Sequence, residues 1–333
     1  MKTLIIAEAG VNHNGDIEMA KKLIDIASDC GADLVKFQAY DVNDIATKSA
    51  PKADYQILGT GSSESQQLML TKLALTEEML KELFAYANKK SIGIFATGFD
   101  ILSVNTLIKL GQDRFKIPSG EITNLPLLRH IGQLDKQIIL STGMCELTEV
   151  EFAIKVLINS GTPKEKITIL HCTSAYPAPF TDINLLAMKT MQKKFSIPVG
   201  YSDHSQGIEV AIAAVALGAS TIEKHFTIDK NLPGPDHKAS LEPSELKSMV
   251  IGIRNIEKAL GNGVKRVMPS EISNLLVARK SIVAKVRIKA GEVFTIENLT
   301  TKRPGTGLSP LSIDELVGTK STRDYLEDEI IEL

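Results

Sequence analysis

The sequence predicts a (β/α)₈ barrel followed by a small second domain, an α/β chain, and three observations lead there. Eight short apolar segments, residues 3–9, 33–39, 92–97, 114–119, 137–142, 167–173, 197–203 and 220–226, recur with helix-length stretches between them. That alternation builds a parallel sheet closed on itself. Almost every reactive side chain lies where one of these strands ends, and the C-terminal strand ends of such a barrel converge on one pocket. After Leu260 the pattern gives way to Gly261-Asn262-Gly263 and then to short strands and tight turns such as Lys289-Ala290-Gly291-Glu292. The barrel is therefore placed at residues 1–262, a linker at 263–278 and a compact domain at 279–333. About 55 residues are few for independent stability, so this domain is expected to lean on a barrel.

The helices follow from spacing. Met19, Leu23, Ile26 and Ala27 repeat at three and four residues, the stripe a barrel helix turns toward its strands. The same rule places helices at 78–88, 102–110, 149–159, 208–217 and 244–260. Two loops exceed what a barrel needs. One, 41–71, is rich in Ser, Gly, Gln and Asp; the other, 229–243, carries Pro233-Gly234-Pro235-Asp236-His237. Both are candidate lids.

Lysine plus arginine (38) nearly balance aspartate plus glutamate (40), so no global basic field recruits nucleic acid or an anionic membrane. Any anion is bound locally. No stretch approaches the roughly 20 apolar residues of a membrane span, and Met1-Lys2-Thr3 runs directly into a strand, which predicts a cytoplasmic protein. Cys30, Cys145 and Cys172 form no CxxC pair and are odd in number, as suits a reducing compartment. Cys172 reads as a small buried filler. No GxGxxG follows a strand and no GxxxxGK[ST] occurs, which disfavours a nucleotide site.

The residues expected at the barrel mouth are Glu8, Lys36, Gln38, Thr97, Lys116, Ser119, Glu121, His171, His204 and His225. His204 and His225 end adjacent strands seven and eight, and two neutral imidazoles with open positions suit a borderline divalent metal. Lys36 and Gln38, two apart, share a face. A lysine inside an apolar strand is costly to bury unless an anion meets it. Lys36 and Lys116, with hydroxyls from Thr97, Ser119 and Ser141, therefore describe a phosphate site. Two other readings stay open: salt bridges with barrel carboxylates, and a Schiff-base lysine of the kind barrel aldolases use. Glu8 and Glu121 can hold a hydroxylated group or move a proton. Of the six histidines only His130 lies on a helical pattern, and it is assigned to the surface.

Together these segments resemble the sialic acid synthase family. The resemblance runs through Ala7-Glu8-Ala9-Gly10-Val11-Asn12-His13-Asn14-Gly15, Val35-Lys36-Phe37-Gln38, Phe115-Lys116-Ile117-Pro118-Ser119-Gly120-Glu121, Leu140-Ser141-Thr142-Gly143-Met144, Tyr201-Ser202-Asp203-His204, Glu223-Lys224-His225-Phe226-Thr227 and Gly234-Pro235-Asp236-His237. The C-terminal segment, with Lys302-Arg303-Pro304-Gly305-Thr306-Gly307, looks like the antifreeze-like (SAF) domain of that family.

The resemblance implies condensation of phosphoenolpyruvate with the open-chain form of an N-acyl hexosamine, with C–O cleavage releasing phosphate and no lysine adduct. It gives His204 and His225 a Mn2+ or Mg2+ ion. Lys36, Thr97, Lys116, Ser119, Ser141, Ser174 and Ser202 hold phosphoenolpyruvate. Glu8 assists proton transfer, and Gln38, Glu121, Tyr176 and Asp236 hold the sugar. Arg303 reaches the N-acyl group from the partner in a domain-swapped homodimer. The first expectation is an N-acetylneuraminate synthase using N-acetylmannosamine. The alternative is a legionaminic or pseudaminic acid synthase using a 2,4-diacetamido hexose, and a more distant one is a non-enzymatic carbohydrate-binding protein. Two departures from the family pattern, Ala96-Thr97-Gly98-Phe99 and Ser174 before the Tyr176-Pro177 turn, leave the phosphate-binding hydroxyls in place.

Overall fold

In the computed structural model, which describes residues 2–61 and 63–332, the strands of the first unit are β1 (Leu4–Gly10), β2 (Leu34–Ala39), β3 (Gly93–Gly98), β4 (Arg114–Ile117), β5 (Gln137–Ser141), β6 (Ile167–Cys172), β7 (Val199–Asp203) and β8 (Thr221–His225). Their hydrogen-bonded order is β3-β2-β1-β8-β7-β6-β5-β4, a barrel with one seam, and β3 lies beside β4 across it. At the seam the buried Gln112 side chain stands in for missing ladder bonds. Its Oε1 accepts from the Ala96 N–H at 2.8 Å and its Nε2 donates to the Ala96 carbonyl at 2.9 Å, so both backbone groups of Ala96 are satisfied there.

The crossovers carry α1 (Ile17–Asp29), α2 (Val42–Ile45), α3 (Asp54–Thr60), α4 (Gln66–Leu73), α5 (Glu77–Lys89), α6 (Ile101–Lys109), α7 (Leu125–Gly132), α8 (Leu147–Ser160), α9 (Ala187–Phe195), α10 (Glu209–Ala216) and α11 (Pro243–Ala259). Helices α7 and α9 lie outside the sequence-predicted set. Leu127, Leu128 and Ile131 anchor one and Met188, Met191 and Phe195 the other, at the same spacing of three and four that marks the predicted helices. The long 41–71 loop is also not irregular, since α2, α3 and α4 occupy it. The other predicted strands and helices occur with ends displaced by one or two residues.

Two layers inside the barrel position the site. Ile6, Phe95, Ile139 and Leu170 meet on the axis, with Leu34 against them, and close its floor. Side chains in a strand return to the same face every second residue. The next inward positions are therefore Glu8, Lys36, Thr97, Ser141 and Cys172, all of which line the cavity above the floor. The outer faces of the strands pack on the helices in one large core that includes Ile5, Val35, Phe37, Phe115, Leu140, Ile169, Tyr201 and Ile222.

The second unit begins at Asn262. The expected 263–278 linker is partly helical, because α12 (Ile272–Ala278) forms within it. Beyond it β9 (Ser281–Ala284) pairs antiparallel with β10 (Leu299–Lys302), followed by α13 (Ile313–Leu316). Ile282, Ala284, Ile288, Phe294, Leu299, Leu316, Tyr325 and Ile331 form its own small core. No described helix is long and apolar enough to cross a membrane.

Candidate active site

A cavity of about 490 Å³ opens at the C-terminal ends of the strands. Glu8, Lys36, Gln38, Thr97, Lys116, Ser119, Glu121, Ser141, Ser174, Tyr176, Ser202, His204, His225 and Asp236 all line it. At one end the two lysines share a carboxylate that the sequence reading left without a role. Glu223 lies 2.7 Å from Lys116 Nζ and 3.0 Å from Lys36 Nζ, and all three residues are buried. Lys36 also meets Glu8 at 3.1 Å and donates to Thr97 Oγ1 at 3.2 Å. Ser202 Oγ donates to Glu223 Oε1 at 2.9 Å. The signal for Glu223 was present in the sequence. His225 faces the cavity, and a strand returns to the same face two residues earlier.

Charge at this end is unevenly held. Burial raises the Glu223 carboxyl, but the Lys116 and Lys36 ammoniums overcome it and keep Glu223 well below the usual carboxylate range. For Glu8 burial prevails: with Glu223 adding to it and Lys36 opposing, the carboxyl is pushed up to about 7. Two ammoniums thus face one firmly ionised carboxylate, a surplus that attracts an anion. Beside them Ser141 Oγ is buried without a hydrogen-bond partner. Ser119 Oγ accepts from the Gly143 N–H at 2.9 Å and lies 3.1 Å from Cys172 Sγ. A Cβ on Gly143 would overlap Ser174 Oγ and come within 2.9 Å of Ser119 Oγ and Cys172 Sγ, so only glycine admits this cluster of hydroxyls. Cys172 is a buried filler, as expected, and also part of the cavity wall.

Beside this cluster the rings of His204 and His225 lie 5.6 Å apart, with His225 opposite Glu8 in the β1–β8 register and Ser202 Oγ, which also bonds Glu223, 3.5 Å from His204 Nε2. His204 Nδ1 donates to the Thr173 carbonyl at 2.8 Å, which leaves the Nε2 lone pair available. Burial lowers His204 to about 4 and takes His225 well below the ordinary histidine value, so both rings are neutral near pH 7. His225 Nδ1 is buried without a hydrogen-bond partner, and Asp236 Oδ2 at 3.8 Å is too distant to supply one. Among the described residues no three His, Cys, Asp or Glu side chains form a ready-made metal cage. A cation here would take nitrogens from two neutral imidazoles and its other ligands from water or substrate. Two imidazole nitrogens completed by water or substrate oxygens make a donor set that fits a divalent transition ion, and the orphaned His225 nitrogen is what such an ion would satisfy.

The remaining residues assigned to a sugar line the same cavity, Tyr176 and Asp236 against the imidazoles. Tyr176 stacks on His204 with ring centres 4.2 Å apart. Burial raises Asp236 to about 6. Glu121 accepts from Asn124 Nδ2 at 2.7 Å, and Gln38 sits opposite Thr97 in the β2–β3 register. His171 does not join this cavity. It lies one residue before the inward Cys172, so it points outward and donates from Nε2 to the Ile183 carbonyl at 2.7 Å. His13 and His237 serve local hydrogen bonds, to the Gly15 N–H and to Thr227 Oγ1. His130 is half-buried rather than on the surface and pairs with Asn105 Oδ1 at 2.9 Å. Arg303 belongs to the second unit, where its Nε donates to the Ala278 carbonyl at 3.0 Å.

Fold and site together define a barrel synthase whose mouth places an anion-binding lysine pair beside a pair of neutral imidazoles. The chain belongs to the NeuB family, which matches residues 23–265, and residues 279–332 match the SAF domain. It is 54% identical over 330 residues, 99% of each chain, to the N,N'-diacetyllegionaminic acid synthase of Campylobacter jejuni. To the N,N'-diacetyllegionaminic acid synthase of Legionella pneumophila it is 45% identical over 322 residues, covering 96% of this chain and 90% of that one. The crystal structure of N-acetylneuraminic acid synthetase from Leptospira borgpetersenii, in complex with citrate, matches with a TM-score of 0.73 at 36% identity and covers 83% of this chain and 90% of that one. The chain is accordingly a phosphoenolpyruvate-dependent nonulosonate synthase, a transferase that forms a carbon–carbon bond.

Proposed function

We propose that the protein is an N,N'-diacetyllegionaminic acid synthase, joining phosphoenolpyruvate to the open-chain form of a 2,4-diacetamido hexose. The observation that carries this choice is the 54% identity over 99% of both chains to a synthase of that product. It favours the diacetamido sugar over the N-acetylmannosamine first expected.

In this reading the lysine end takes phosphoenolpyruvate. Lys36 and Lys116 meet its negative charge, and the hydroxyls of Thr97, Ser119, Ser141, Ser174 and Ser202 hold its oxygens. The sugar occupies the imidazole end, held by Gln38, Glu121, Tyr176 and Asp236. The bond forms when C3 of phosphoenolpyruvate attacks the aldehyde carbon; water then adds at C2, and phosphate leaves with its C–O bond broken. A divalent ion on His204 and His225 would supply polarisation of the aldehyde oxygen. Glu8, with its carboxyl near neutrality, can take and return a proton at the lysine end. Neither lysine needs to act as a nucleophile, because both are engaged with carboxylates. Arg303 of a partner's SAF domain would donate to an acyl carbonyl, a task its fixed fork of donors suits.

The test offers phosphoenolpyruvate with each of three acceptors, N-acetylmannosamine and the 2,4-diacetamido hexoses leading to legionaminic and pseudaminic acid, and follows phosphate release with mass analysis of the product. The legionaminic precursor should exceed the others by at least about tenfold in kcat/KM. Equal or better use of N-acetylmannosamine would overturn the assignment.

A further inference from the structure

We propose that the β2–α5 crossover forms a wall of the sugar site, with Tyr55 as a specificity-determining residue that sets the position of Tyr176. This rests on the function proposed above, which places the sugar at the imidazole end of the cavity. Tyr55, on α3, stacks on Tyr176 with ring centres 4.8 Å apart. Tyr176 in turn lies 4.2 Å from His204 and meets His225 edge-on at 5.9 Å. A column of rings therefore runs from the crossover to the imidazoles, and Tyr176 has a neighbour on each side to fix its tilt.

A second contact ties the crossover to the opposite loop. A Cβ on Gly59, at the end of α3, would overlap the Gly234 carbonyl oxygen and lie 3.1 Å from Pro235 Cα. Asp236 follows directly. The same short helix thus touches both loops that deliver sugar-facing residues, the one after β6 and the one after β8. The crossover is itself braced, since buried Lys52 donates to Thr60 Oγ1, the Gly61 carbonyl and Glu64 Oε1 at 2.9–3.2 Å.

The chemistry of the wall matches an acylamino substituent. Met69 and Leu73 pack with Val11 and present an apolar surface to the cavity, which suits an acyl methyl group. Gln66 Nε2 donates to Gln56 Oε1 at 3.3 Å, which directs the other end of the Gln66 amide to accept an N–H. A hexose with a second acylamino group offers both, whereas a hydroxyl at the same carbon offers no methyl.

The experiment compares Tyr55→Ala, Tyr55→Phe and Gln66→Leu with the parent, in the metal-supplemented full chain, using both a 2,4-diacetamido hexose and N-acetylmannosamine. Tyr55→Ala should raise the sugar KM about five- to tenfold, the worth of one aromatic pair, and leave the phosphoenolpyruvate KM within about twofold. Tyr55→Phe keeps the ring and should restore most of the sugar KM. Gln66→Leu, at a half-exposed position that does not threaten folding, should narrow the preference for the diacetamido sugar and so tests the wall even if Tyr55→Ala fails to fold. An unchanged sugar KM in Tyr55→Ala, an equal rise in both substrates' KM, or an unchanged preference in Gln66→Leu would overturn the inference. If the parent prefers N-acetylmannosamine, the proposed function fails, while a selective Tyr55 effect on the sugar KM would still stand.

Discussion

Replacing Glu223 by glutamine removes one charge and almost no volume from the centre of the lysine pair. Lys36 keeps Glu8 at 3.1 Å. Lys116, 3% exposed, has Glu223 as its carboxylate partner among the described residues, at 2.7 Å. The variant therefore leaves a buried ammonium without a counter-charge, a loss of about 3–5 kcal/mol where one member of a buried pair is deleted. Against a total stability of about 5–15 kcal/mol this is large. Urea unfolding should show a lowered midpoint with an unchanged slope. Phosphate or phosphoenolpyruvate supplies the missing negative charge, and at 100 times its dissociation constant it adds about 2.7 kcal/mol to whichever protein binds it. Since the anion meets a more positive site in the variant, it should stabilise the variant more than the parent and narrow the gap. Adding Lys116→Met removes the orphan, so the double variant should be more stable than Glu223→Gln alone. A midpoint shift worth less than about 1 kcal/mol, or a gap that anion does not narrow, would refute the shared-carboxylate account.

Three further outcomes follow from the same geometry. A strong chelator should abolish turnover and Mn2+ should restore it in the parent but not in His225→Ala; full activity of that variant after exhaustive chelation would exclude a metal on this pair. Glu8, with its carboxyl at about 7 rather than the ordinary 4.5, keeps a proton in the folded state that the unfolded chain has lost between those pH values. Its contribution should thus lower stability as pH rises through that window, by on the order of 3 kcal/mol, and denaturation midpoints of Glu8→Gln against the parent should show the decline flattened. Mixing Arg303→Ala chains with His225→Ala chains should recover part of the activity if Arg303 acts across a homodimer, and demonstrated subunit exchange without recovery would exclude that role.

The inward-facing chemistry was legible in the chain because a strand alternates its faces by covalent geometry alone. Lys36 with Gln38 and the placing of His204 and His225 on neighbouring strands needed no coordinates, and the same alternation applied to the last barrel strand would have placed Glu223 inside. It would also have turned His171 outward, since Cys172 faces in and a one-residue step changes the face. For the strand residues the sequence by itself determined which face of the barrel wall each side chain takes. Which lysine meets which carboxylate, that Gln112 closes the seam, and that Tyr55 stacks on Tyr176 were decided by tertiary structure. These contacts join residues from 16 to more than 100 positions apart, and they depend on strand stagger and on how a crossover lies over the mouth. Local periodicity carries no information about either, because it reports the direction of a side chain and not the distance to its partner.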